Sequence, residues 1–135
     1  MSRLPTVVLD ASVGVKWFKE EIGSDTAEEL YRKATRCELR LAAPTHFVHE
    51  VLSTVKREMG PRAILEGWNY IQASGITILP LTTEVVVEAA RQCEALGCSF
   101  YDSLAPACAS LLGATLASAD ARAHGAFPDL LLIEG

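Results

Sequence analysis

The sequence predicts a three-layer α/β/α sandwich around a mainly parallel sheet of about five strands, and three observations carry that prediction. Five short apolar runs stand at 5–10, 39–43, 76–80, 115–119 and 130–133, bounded by Gly, Pro or Asp in the manner of strands buried on both faces. Longer segments of helical period lie between them. Strands alternating with helices make βαβ units, which put parallel strands in one sheet and helices on its faces. With 135 residues and no internal repeat, low-complexity tract or linker, residues 1–135 read as one domain.

Each element has a local reason. The first strand, "PTVVLD", leads into "ASVGVKWF", which has a helix-like pattern. "SDTAEELYRKATRCE" opens on a cap signal, Ser24 or Asp25. After "LRLAA", the segment "THFVHEVLSTVKREM" carries Phe47, Val48, Val51, Leu52, Val55 and Met59 as one apolar stripe, and Gly60-Pro61 ends it. "PRAILEGWNYIQASG" and "TEVVVEAARQCEALG" each finish on glycine, as helices often do, with "ITILP" between them. The last clear helix is predicted over 100–112, closed by Gly113. The strands "TLASA" and "LLLI" complete the sheet.

Composition excludes several classes. No apolar run approaches the roughly 20 residues needed to span a bilayer, and the first residues contain no leader pattern, so a cytoplasmic protein without membrane attachment is expected. Net charge is −5, which argues against electrostatic coating of nucleic acid but not against an enzyme whose bound cations supply positive charge locally. Cys37, Cys93, Cys98 and Cys108 form no C-x-x-C pair, and His46, His49 and His124 do not complete a zinc pattern. Buried free thiols in a reducing compartment are expected.

In folds of this kind a ligand sits outside the carboxyl ends of the strands. Asp10 ends the first strand and Asp120 the fourth; Glu50 lies in the second turn of the helix after the second strand, and Asp102 in the first turn of the helix before the fourth. Three of the five aspartates therefore stand where a ligand would be. Each acid has a plainer role available. Asp10 and Asp120 could cap short helices, Ser99-x-x-Asp102 could be a capping box, and Glu50 could be a solvated residue beside His46 and Thr54. Together they suggest more. Carboxylates gathered at one place repel unless cations are present, and hard, oxygen-seeking Mg²⁺ or Mn²⁺ is the natural counter-charge. Such a cluster is one way to organise phosphodiester hydrolysis.

The pattern resembles the PIN-domain family, and most closely its small single-domain members, the ribonuclease toxins of VapBC-type toxin–antitoxin pairs. "VVLDASVGVKWF" is similar to the family's opening strand, with its first aspartate and a hydroxyl residue two positions on, here Ser12. "PTHFVHEVLSTV" is similar to its glutamate-bearing helix, and "SFYDSLAPACASLLGATLASADARA" to its Y-D segment followed by a strand and a last aspartate. The resemblance spans nearly the whole chain. It implies metal-dependent RNA cleavage by an acidic quartet of Asp10, Glu50, Asp102 and Asp120, with Ser12 as a hydrogen-bonding helper. Asp10 and Asp102 are expected to bind Mg²⁺ or Mn²⁺ directly, and Glu50 and Asp120 through water or a second ion. It further implies an RNA substrate, a cognate antitoxin protein that blocks the groove, and a homodimer.

Two positions depart from the family pattern. His49 precedes the glutamate where asparagine is common. Pro106 falls inside the helix that carries Asp102, where it removes the hydrogen bond to the Asp102 carbonyl. An irregular helix start, or a kink beside the proposed ligand, is expected. Lys16, Arg57 and Arg122 could reach phosphates but read first as solvated charges, and Trp17, Phe18, Phe47, Trp68 and Tyr70 as core or interface residues. A phosphoacceptor receiver needs a lysine near its last strand, whereas the final lysine is Lys56; a D-x-D phosphatase needs a second aspartate at position 12, which is serine. The remaining alternative is a PIN-like fold acting as a binding or assembly module without cleavage.

Overall fold

A computed structural model describes residues 4–135. Five strands, β1 (Thr6–Leu9), β2 (Arg40–Pro44), β3 (Thr77–Leu79), β4 (Thr115–Ser118) and β5 (Leu130–Leu132), form one sheet in the order β3-β2-β1-β4-β5. Every pairing is parallel. The central strand is β1, with Val7 opposite Leu41 of β2 and Val8 opposite Leu116 of β4. The chain thus leaves β1 toward one edge and later returns to build the other. The reversal lies between β1 and β4.

Seven helices cover the two faces: α1 (Ala11–Gly14), α2 (Ser24–Thr35), α3 (Thr45–Met59), α4 (Ile64–Ala73), α5 (Thr83–Leu96), α6 (Phe100–Leu112) and α7 (Ala121–His124). Alternation along each strand sends side chains to opposite faces. Val7, Leu9, Leu41, Ala43 and Ala117 pack with Val13, Ala27, Phe47, Val51 and Ile71 of α1 to α4. Val8, Ala42 and Leu116 meet Ala105, Cys108 and Ala109 of α6 on the other face. Behind α6, Val85 and Ala89 of α5 pack on Leu104 and Ala107. This is the predicted α/β/α sandwich, and both-sided burial is why the strands read as continuous apolar runs rather than alternating ones.

The stripe on α3 is buried at Phe47, Val48, Val51 and Val55, while Met59 at its end is exposed. Short α1 crosses α3 closely enough to require glycine at position 14. A Cβ there would lie 2.5 Å from the Phe47 ring and 2.7 Å from Val51 Cγ2. Trp17 closes a 3₁₀ turn (Val15–Trp17), donates its indole N–H to the Ala27 carbonyl at 2.9 Å and meets Tyr31 edge-on; Phe18 turns outward onto Tyr70.

Several sequence expectations change here. The start of α2 is capped by neither Ser24 nor Asp25. Gly23, at φ 89°, precedes the helix, and a Cβ on it would collide with the Glu134 carbonyl. The Ser24 hydroxyl is turned inward, accepting the Glu21 N–H and donating to the Lys19 carbonyl. Lys16 is no solvated charge: it is 3 % exposed, and its ammonium donates to the Ile22 carbonyl beside Glu21. The four thiols are free, yet only Cys108 is buried, and burial pushes its pKa to about 11. Of the aromatics expected in the core or at an interface, Trp68 and Tyr70 are partly exposed and so lie outside the core. No described helix is long and apolar enough to cross a membrane.

Glu88, nearly buried on α5, accepts hydrogen bonds from Gln92 (2.9 Å) and Arg91 (3.1 Å). These favour its charged form, the Gln92 bond most, and hold its pKa below the ordinary 4.5. A carboxylate depressed on folding adds stability that is complete above the unfolded value and lost as pH falls through the folded one. Glu88→Gln is therefore expected to cost about 1 kcal/mol at neutral pH. That difference from wild type should vanish in urea titrations run well below pH 4.5.

Candidate functional site at the strand carboxyl ends

Asp10 follows β1 directly and forms the N-cap of α1, its Oδ2 accepting the Ser12 N–H at 3.0 Å. Its own N–H bonds the Ala117 carbonyl of β4, which fixes it at the point where the strand order reverses. Ser12 contributes its hydroxyl oxygen to the Ala119 N–H at 3.0 Å, a strap across 107 residues of chain. Asp120 caps α7 through Oδ1 and the Ala123 N–H. Asp102 receives no side-chain cap but has its N–H held by Ser99 Oγ at 3.1 Å. The plainer capping roles are thus present for Asp10 and Asp120, where they orient the carboxylates, while the Ser99–Asp102 box is only half formed and leaves the Asp102 carboxylate out of it. Capping and function do not compete here.

Two clefts open at this end of the sheet. Asp10, Ser12, Glu50 and Asp102 line one of them together with Ala11, His46 and Tyr101. Asp102 also lines the adjoining cleft, with Asp120, Cys98, Ser99 and Arg122. Asp102 is therefore the acid common to both, while Asp120 lines only the second. Burial, then Cys93 and Asp102, raise the Cys98 thiol above its ordinary value. Tyr101, largely exposed, stacks on His46 with ring centroids 4.8 Å apart, forming an aromatic wall beside the acids. Glu50 is exposed and meets only His46, at 3.8 Å. Among the described residues, no lysine or arginine pairs with Asp10, Asp102 or Asp120. Of the three cations named from sequence, Arg122 borders the second cleft, Arg57 bonds Thr54 on its own helix, and Lys16 is buried.

These oxygen donors suit a hard divalent cation. Among the described residues, no three His, Cys, Asp or Glu side chains converge as a ready-made cage.

Pro106 does not break α6. The helix is continuous from Phe100 to Leu112, which overturns the expected irregular start. The Asp102 carbonyl does lack a helical donor, as a proline four residues on requires. Its partner comes from elsewhere: His124 Nε2 lies 2.7 Å away. Sequence reasoning identified the orphaned carbonyl but passed over His124, whose approach depends on how α7 folds back.

A parallel α/β sandwich with carboxylates at its topological switch point is the class that fold and cleft define. A PIN domain family profile matches residues 7–127, and the chain belongs to that family. No curated protein sequence matches it. Among solved structures it is similar to the toxin–antitoxin complex from Klebsiella pneumoniae (13 % identity, 93 % of this chain and 95 % of that chain covered, TM-score 0.70). It is also similar to VapC20 of Mycobacterium tuberculosis, a sarcin–ricin loop cleaving toxin (15 %, 89 % and 94 %, 0.68). A third is VapBC2 from Rickettsia felis bound to a promoter DNA fragment (14 %, 94 % and 96 %, 0.71).

Proposed function

We propose that this protein is a divalent-metal-dependent endoribonuclease, the toxin of a type II toxin–antitoxin pair, hydrolysing RNA phosphodiester bonds at the acid-lined cleft. The observation that carries the reading is a single cleft lined by Asp10, Glu50 and Asp102, with no lysine or arginine among the described residues of its lining. Uncompensated carboxylates at a switch point call for a cation. Asp10 and Asp102 would hold Mg²⁺ or Mn²⁺ directly, with Glu50 and Asp120 acting through water or at a second ion. When bound, such ions supply a water of lowered pKa and positive charge against the leaving oxygen. The chain's own work is orientation: Ser12 fixes the Asp10 carboxylate through its N–H and joins α1 to the turn after β4 through its hydroxyl. The likeness to VapBC complexes supports a cognate antitoxin protein as partner; a homodimer and a cytoplasmic site of action are part of the same proposal.

The test uses purified chain with single-stranded and structured RNA. Cleavage is expected with Mn²⁺ or Mg²⁺, abolished by EDTA and restored by excess Mn²⁺. Cutting that is equally fast in EDTA removes the metal mechanism. Binding of RNA or partner without cutting under any ion favours a non-cleaving PIN module instead.

A further inference from the structure

His124 is fully buried, and both of its ring nitrogens are engaged. A carbonyl can only accept, so the Nε2 facing the Asp102 oxygen at 2.7 Å carries the proton. In the neutral ring Nδ1 is then an acceptor, and the Ser118 hydroxyl, 2.6 Å away, donates to it. Ser118 Oγ in turn accepts the Asp120 N–H at 3.0 Å. One directed chain results. It runs from the Asp120 amide through Ser118 to His124 on one side, and from His124 to the Asp102 carbonyl on the other. Its two ends are the backbones of two members of the acidic quartet, one on α6 and one before α7.

Resting on the nuclease reading above, we infer that His124 is a positioning residue: it fixes Asp102 against Asp120 and so sets how tightly the acidic quartet holds a divalent ion. Pro106 makes this possible. With any other residue at 106, a helical N–H would occupy the Asp102 carbonyl at the spacing of an ordinary turn. The proline leaves that oxygen for the imidazole, so α6 is joined to α7 at the level of the acid. Buried polar groups of this kind orient metal-binding residues, and their loss typically lowers affinity or activity about 10–100-fold.

The alternative is that His124 merely fills the hydrogen-bonding gap left by Pro106. Two variants separate these roles, with Mn²⁺ affinity read by titration calorimetry and stability by thermal melting. Pro106→Ala/His124→Leu restores the helical N–H and so repairs the gap, but it severs α6 from α7. Ser118→Ala leaves α6 untouched and cuts the chain at its other end. Both are expected to bind Mn²⁺ about tenfold or more weakly than wild type, the double variant doing so at a melting temperature above that of His124→Leu alone. Affinity within twofold of wild type in either variant overturns the inference. Wild-type protein that binds no Mn²⁺ fails at the earlier step and overturns the nuclease reading itself.

Discussion

Asp10→Asn is expected to lower the proposed metal-stimulated RNA cleavage by about a hundredfold or more, the upper end of what even an outer residue of a metal site costs, while the fold survives. The survival follows from the geometry at the end of β1. Asp10 caps α1 by accepting the Ser12 N–H, and asparagine is an equally good N-cap with an oxygen in the same place. What asparagine lacks is the charge. Stability should therefore change by no more than about 0.5 kcal/mol, as for substitutions that leave caps and packing intact. The measurement is a cleavage time course in Mn²⁺ beside a urea titration of each protein. Undiminished cleavage in the variant would show that Asp10 serves only as a cap.

Phe47→Ala is expected to have the largest effect on stability, about 3–5 kcal/mol. The ring is 1 % exposed, packs over Gly14 and meets Trp17 edge-on at 6.0 Å. Removing it leaves a cavity between α1 and α3 that Gly14, having no side chain, cannot fill. For a domain whose total stability is of order 5–15 kcal/mol, the loss is severe. The same two helices hold Asp10 and Glu50, so cleavage should fall with the folded population. A urea midpoint shifted by less than about 1 kcal/mol would mean that the α1–α3 crossing tolerates the void by collapse.

Much of this architecture was legible in the residues. Apolar runs such as "TVVL" and "TLAS", buried on both faces, located the strands, and terminal glycines such as Gly97 and Gly113 located helix ends. The acids at strand ends were equally visible, because a carboxylate beside a core is costly and stands out against apolar sequence. What stayed hidden depends on how chain segments fold back on one another, whether near in sequence or far. Lys16 looks like any surface cation until the Ile22 carbonyl folds over it. The cap of α2 was misplaced because Gly23 fits against Glu134, more than a hundred residues away. Pro106 announced a missing hydrogen bond, but only the return of α7 reveals that a histidine supplies it.

The bond from the Ala119 amide to Ser12 has a consequence for how the protein comes into being. Asp10 and Ser12 are made well before the segment that straps them, which lies 107 residues further along the chain. Unfinished polypeptides carry the acids without their arrangement. The arrangement around Asp10 is thus complete only once β4 has paired beside β1.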